Sequence, residues 1–173
     1  MSEYFDIYDE NRNPLGRSGE RDSYVFAKGE YHIVTDVFIF NSKNQLLLTQ
    51  RVPEKKAGLL WEGTGGSVLA GENSKQAIIR EINEELGLDI QENELTLYKT
   101  LRRDETKSPR FKDLWVLKKD IELKDLVLQK EEVNDAKWVS VDEFDKMQNN
   151  NEIVPTIDFN KDDFIKAINL INI

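Results

Sequence analysis

Apolar and polar residues follow two different periods along the chain, and the switches between them outline its elements. HIVTDVFIF (32–40) and QLLLTQR (45–51) are nearly continuous runs of β-branched, aliphatic and aromatic residues, and the turn-forming NSKN (41–44) between them predicts a strand pair. Upstream, YFDIYDENRNPLGR (4–17) sets Asn, Pro and Gly between two apolar patches and predicts a loosely held N-terminal hairpin. ELTLYKTLRR (94–103) and RFKDLWVLKKDI (110–121) predict two further strands around the polar DETKSP. KEEVNDAKWVSVDEFDKM (130–147) predicts a loop, a strand at residues 137–140 and a helix beginning near Asp142.

A helical period appears in two places. Ile78, Ile82 and Leu86 recur at every fourth position in a segment that Asn73 or Ser74 can cap and that Gly87 can end in a left-handed conformation. The tail from Asn160 to Ile173 repeats the pattern with Phe164, Ile165, Ile168 and either Ile171 or Ile173 inward. Strands alternating irregularly with three helices imply an α/β fold with a mixed sheet covered on its faces. No repeat, low-complexity tract or long linker divides the chain, so residues 1–173 are expected to form a single domain, with 1–30 as a hairpin extension.

Composition narrows the function classes. A formal net charge of −9 argues against a nucleic acid polymer or an anionic membrane as partner, because both need a basic surface. The absence of cysteine excludes a disulfide framework, a thiolate metal site and a cysteine nucleophile. Neither a signal-peptide pattern nor a long apolar run is present, and the cytoplasm is the expected compartment.

The segment REINEELG (80–87) raises the chemical question. With Glu81 at zero on a helical wheel, Glu85 falls about 40° to one side and Glu84 about 60° to the other, so the three share one face beside the apolar stripe. Like charges four residues apart, near a helix C-terminus whose dipole opposes them, are unfavourable without a partner. Lys75 and Arg80 compensate in part, and a divalent cation would be held well by such clustered hard oxygens. The plainer alternative is a solvated acidic face.

The spacing around this helix decides between the two. Gly66, five residues, Glu72, seven residues, Arg80-Glu81, Ile82, any residue, Glu84-Glu85, any residue, Gly87 and Leu88 resemble the complete signature box of the Nudix hydrolases, here residues 66–88. The resemblance implies a Nudix α/β/α sandwich. It further implies a site for Mg²⁺ or Mn²⁺, with Glu84 and Glu85 as principal ligands and Glu81 as a further ligand or as the group that positions or deprotonates water. The carbonyl of Gly65 is a further candidate ligand, and Glu72 with Arg80 resembles a structural pair holding loop to helix. A later metal-binding glutamate is assigned to Glu132, with Glu131 second, on their placement before Trp138.

The implied reaction is hydrolysis of a pyrophosphate bond in a nucleoside diphosphate linked to another moiety, a small phosphorylated substrate. The alternative is a non-catalytic nucleotide-sensing Nudix domain. FDIYDENRNPLGR (5–17) and GEYHIVTDVFIFNSKNQLLLTQR (29–51) are also similar to the isopentenyl diphosphate isomerase subgroup, which implies a proton shift instead. That chemistry uses a cysteine and several histidines, whereas this chain has no cysteine and only His32, at one isomerase ligand position. Arg51, Lys55 and Lys56, with Arg102, Arg103, Lys107 and Arg110, are candidate phosphate contacts. Trp61 and Phe111 are candidate stacking residues, and the apolar first strand pair or the last helix is compatible with a homodimer.

Overall fold

The computed structural model describes residues 3–172. The N-terminal hairpin pairs β1 (Tyr4–Tyr8) with β2 (Pro14–Glu20). The chain continues through β3 (His32–Phe40), β4 (Leu46–Arg51), and the short β5 (Trp61–Glu62) and β6 (Thr64–Ser67) into α1 (Ser74–Leu86). It then forms β7 (Leu95–Arg103), β8 (Arg110–Lys118), β9 (Val133–Val139), α2 (Val141–Asn149) and α3 (Lys161–Ile171).

The main sheet has seven strands and is mixed, since β3 runs parallel to β8 while its other pairs are antiparallel. The expected β3–β4 pair is present, but its ladder is short. It covers only Ile39↔Leu47 and Phe40↔Leu46 beside the connecting turn, after which the two strands diverge. Residues 61–67 fill the fork: β5 joins β4 at Thr49↔Glu62 and Gln50↔Trp61, and β6 joins β3 from Val34↔Ser67 to Val37↔Thr64. The glycine-bearing segment therefore takes the backbone hydrogen bonds that β3 and β4 would otherwise give each other.

Strand alternation divides the core into two layers. Val37, Ile39, Leu47 and Leu117 pack against Ile78, Ile82 and Leu86 of α1, all three of which are fully buried. On the opposite face, Phe38, Phe40, Leu46, Leu48 and Val116 pack against Phe144 of α2, Phe159, and Phe164 and Ala167 of α3. The result is the expected α/β/α sandwich. Helix α1 is bounded on both sides: the Asn73 side chain accepts from the backbone of Lys75 and Gln76 at 3.0 and 2.9 Å, and Gly87 closes the helix at φ 69°.

Three local expectations are corrected. Strand β9 starts at Val133 and not at residue 137, because Val133 to Val139 pair along the free edge of β4. Ile165 is 45% exposed. Helix α3 turns Phe164, Ala167, Ile168 and Ile171 inward at i, i+3, i+4 and i+7, and Ile165 falls outside that stripe; Ile173 lies outside the described residues. The hairpin is not loosely held. Arg12, in the left-handed region at φ 65°, donates from Nη1 to Oδ1 of buried Asp113 at 2.8 Å, and Thr100 Oγ1 donates to the same oxygen at 2.7 Å.

Candidate active site

The fork in the sheet and the end of α1 meet in one cleft of about 190 Å³. Its walls are Glu62, Gly65 and Gly66 from the inserted segment, Arg80, Glu81, Glu84 and Glu85 from α1, and Arg51 and Lys55 from the end of β4 and its loop. Gln129 and Glu132 come from the loop before β9, and Glu3 and Arg21 from the hairpin. The five candidate cation ligands, Gly65, Glu81, Glu84, Glu85 and Glu132, are thus brought together with Arg80 and with two of the candidate phosphate contacts, Arg51 and Lys55.

Arg80 organises the helix side. Its Nε donates to Glu72 Oε1 at 2.8 Å and its Nη2 to Glu72 Oε2 at 3.0 Å and to the carbonyl of Ser67 at 3.1 Å. Its Nη1 reaches Glu81 at 2.9 Å and Glu84 at 3.1 Å. Glu72 also accepts from the Leu69 backbone at 3.1 Å, so Glu72 and Arg80 tie the loop to the helix. Burial works against the Arg80 charge, but Glu72 and Glu81 overcome it and hold its pKa above the ordinary arginine value.

Glycine at position 66 leaves room for the Glu81 carboxylate, which lies against it: a Cβ there would overlap the carboxylate and push that side-chain end aside. Burial raises the pKa of Glu81, an effect that Arg80 partly offsets.

Glu85 differs from its neighbours. Among the described residues its side chain has no hydrogen-bonded or ion-paired partner, while Glu81 and Glu84 are held by Arg80 and Glu132 is ion-paired with Lys55. Burial, and then the nearby charges of Glu81 and Glu62, push the Glu85 pKa up to about 8. The carboxylates do not converge as a formed cation site among the described residues, because Arg80 and Lys55 occupy three of them. The donor chemistry nevertheless fits a hard divalent ion: Glu85 is uncompensated, with Glu81, Glu84 and Glu132 as further oxygen donors lining the same cleft.

Several residues were not foreseen. Glu62 accepts from Arg51 Nη1 at 2.6 Å, and burial raises its pKa. Its place at the end of β5, directly before Gly63, was the available signal. Beside Gly65 on β3, Asp36 pairs with the buried Lys112 at 2.6 Å. Glu3 and Arg21, ion-paired to each other, reach the cleft through the hairpin fold, which residue spacing does not reveal.

Other candidates lie elsewhere. Glu131 is exposed, and neither it nor Lys56, Arg102, Arg103, Lys107 or Arg110 lines the cleft. Trp61 lies under Lys137 Nζ, 4.5 Å from its ring centroid, and packs on the α2/α3 core; Phe111 is buried beside Tyr31. His32 is packed against Phe5 and Phe26, with Nε2 2.8 Å from Ser108 Oγ, and burial and then Arg110 lower its pKa to about 4.

Comparison with known proteins agrees with this architecture. The family model described as the NUDIX domain matches residues 30–157. An uncharacterized Nudix hydrolase of Listeria monocytogenes is 38% identical over 155 residues, covering 88% of this chain and 89% of that protein. Isopentenyl-diphosphate Delta-isomerase 2 of Photorhabdus laumondii is 28% identical over 165 residues, 93% and 90% of the two chains. The crystal structure of DR0079 from Deinococcus radiodurans superposes with a TM-score of 0.71 at 20% identity, covering 87% and 91%, a likeness of fold. With the family model spanning most of the chain, and with the box residues gathered at one cleft, this chain belongs to the Nudix hydrolase family.

Proposed function

We propose that the chain is a divalent-metal-dependent pyrophosphohydrolase that cleaves the phosphoanhydride bond of a nucleoside diphosphate linked to another moiety. The observation that carries this reading is the half-buried, unpartnered Glu85 carboxylate among other acidic groups, an arrangement stabilised by a bound cation. Glu84 and Glu85 would be the principal ligands, with Glu132 and the Gly65 carbonyl completing the set and Glu81 reserved for the water. Mg²⁺ or Mn²⁺, when bound, supplies charge neutralisation of phosphate oxygens and acidification of water.

The remaining work belongs to the chain's own groups. Arg51 and Lys55 face the cleft and meet substrate phosphates. Glu132, here paired with Lys55, would serve as a cation ligand, and Lys55 would then be free to meet a substrate phosphate. Burial and the neighbouring Arg51 lower the Lys55 pKa, so an anion in the cleft also stabilises its charge. Glu81, held by Arg80 against Gly66, positions the attacking water and accepts its proton. Gly66→Ala is therefore expected to displace the Glu81 carboxylate and cut turnover about a hundredfold while leaving the far-ultraviolet spectrum unchanged. Undiminished turnover in that variant would remove Glu81 from its assigned place.

Similarity to an isomerase favours a second reading, proton transfer on an isoprenoid diphosphate. The chain lacks cysteine, and its one histidine is outside the residues lining the cleft, which favours hydrolysis. Product analysis across nucleoside di- and triphosphates, nucleotide sugars, ADP-ribose and dinucleoside polyphosphates, with Mg²⁺, Mn²⁺ or chelator, tests the proposal, the expected products of a nucleotide sugar being a nucleoside monophosphate and a sugar phosphate. Chelator-sensitive cleavage of any class supports it; intact metal binding with no cleavage of any would favour a sensor.

Cation binding has a defined pH dependence. With a metal-free pKa of about 8, Glu85 is largely protonated at pH 7, and the ion must displace that proton. Calorimetry in buffers of different ionisation enthalpy is expected to show close to one proton released per Mg²⁺ at pH 7, with affinity falling about tenfold per pH unit below 8. Affinity independent of pH between 6 and 8 would contradict the Glu85 assignment.

A further inference from the structure

The substrate class follows from what the cleft is made of, an inference that rests on the hydrolase reading above. Every described side chain lining the cleft is charged except Gln129, and the only other described lining residues are Gly65 and Gly66. None of the described lining residues is aromatic or aliphatic. The cationic side chains are Arg21, Arg51, Lys55 and Arg80, interleaved with six glutamates.

Size points the same way. The cleft has a volume of about 190 Å³. Sites that enclose an organic ligand are usually about 300–1,000 Å³ and mostly apolar, with a few polar groups to orient it. This cleft has the opposite character. The two aromatic residues that could have stacked on a base are committed elsewhere, Trp61 to the core and Lys137, Phe111 to a buried contact with Tyr31.

We propose that the enzyme recognises its substrate through the phosphoanhydride and its flanking phosphates, and that the organic part stays outside the cleft unread. Its substrates are accordingly compact polyphosphorylated molecules, with nucleosides accepted as passengers whatever their base. The rim is compatible with such an exit: Glu84, Arg21 and Glu3, which stand there, have side chains 49%, 49% and 44% exposed, against 14% for Glu81 inside.

The test uses the full chain with Mg²⁺ or Mn²⁺ and measures kcat/KM for ADP-, GDP-, CDP- and UDP-glucose, together with inorganic tripolyphosphate. The expected result is a spread within about tenfold across the four bases, less than a base-contacting pocket imposes, with tripolyphosphate either hydrolysed or a competitive inhibitor. A preference of about a hundredfold or more for one base, or tripolyphosphate neither cleaved nor inhibitory, would overturn the inference and leave the hydrolase reading standing. No chelator-sensitive cleavage of any compound would overturn both.

Discussion

Glu85→Gln is expected to lower kcat by about a thousandfold or more and, in chelator at pH 8, to melt at a higher temperature than the parent protein. The first effect follows from removing a principal cation ligand. The second follows from the same carboxylate in the metal-free state. Its pKa is about 8 in the folded protein against an ordinary value of 4.5, so between those values the folded chain keeps a proton that the unfolded chain has lost. The unfolded state then binds fewer protons, and metal-free stability falls as pH rises through the window. Glutamine carries no such penalty. The two proteins should therefore melt alike near pH 4.5, diverge towards pH 8 in favour of the variant, and exchange order when Mg²⁺ saturates the parent. Parallel melting curves over the whole window would sink the argument.

Arg80→Met is the change expected to cost most stability. It retains much of the aliphatic bulk but removes the donors that hold Glu72, Glu81, Glu84 and the Ser67 carbonyl. Glu72 and Glu81 would be left as half-buried carboxylates without their principal cation, a loss of about 2–3 kcal/mol in urea unfolding. The loop at 67–72 would also separate from α1, so turnover should fall with stability. Combining the change with Glu72→Gln separates the two roles: strong coupling places the stability loss in that pair, whereas a loss below about 0.5 kcal/mol for Arg80→Met would mark it as an ordinary surface ion pair.

The helix and the shared face of its glutamates were legible because both depend on local spacing. The Ile78, Ile82 and Leu86 stripe, the Asn73 cap and the Gly87 stop fall within one continuous segment, and so do the box glutamates. The HIVTDVFIF strand was legible to the residue for a similar reason, being apolar on both faces in the middle of a covered sheet. What could not be read depends on partners distant in sequence. Whether Ile165 or Ala167 faces inward is decided by the strands beneath α3, and the start of β9 by how much of β4 remains unpaired. Glu62 and Arg21 became site residues only once the fork in the sheet and the fold of the hairpin were known. Glu132 and Glu131 are adjacent in sequence, and only the chain direction entering β9 separates the one that faces the cleft from the one that faces solvent.

The hairpin anchored by Arg12 also bears on where the folding unit begins. Residues 30–157 are enough to identify the family, yet a chain started at residue 30 would leave Asp113 as a buried anion deprived of its guanidinium and would strip Phe5 and Phe26 from the His32 ring. It would also remove Glu3 and Arg21 from the cleft wall. The segment that ancestry makes recognisable is therefore smaller than the segment that cooperates in folding. Substrate preferences measured on a chain trimmed to residues 30–157 would describe a cleft with one side missing.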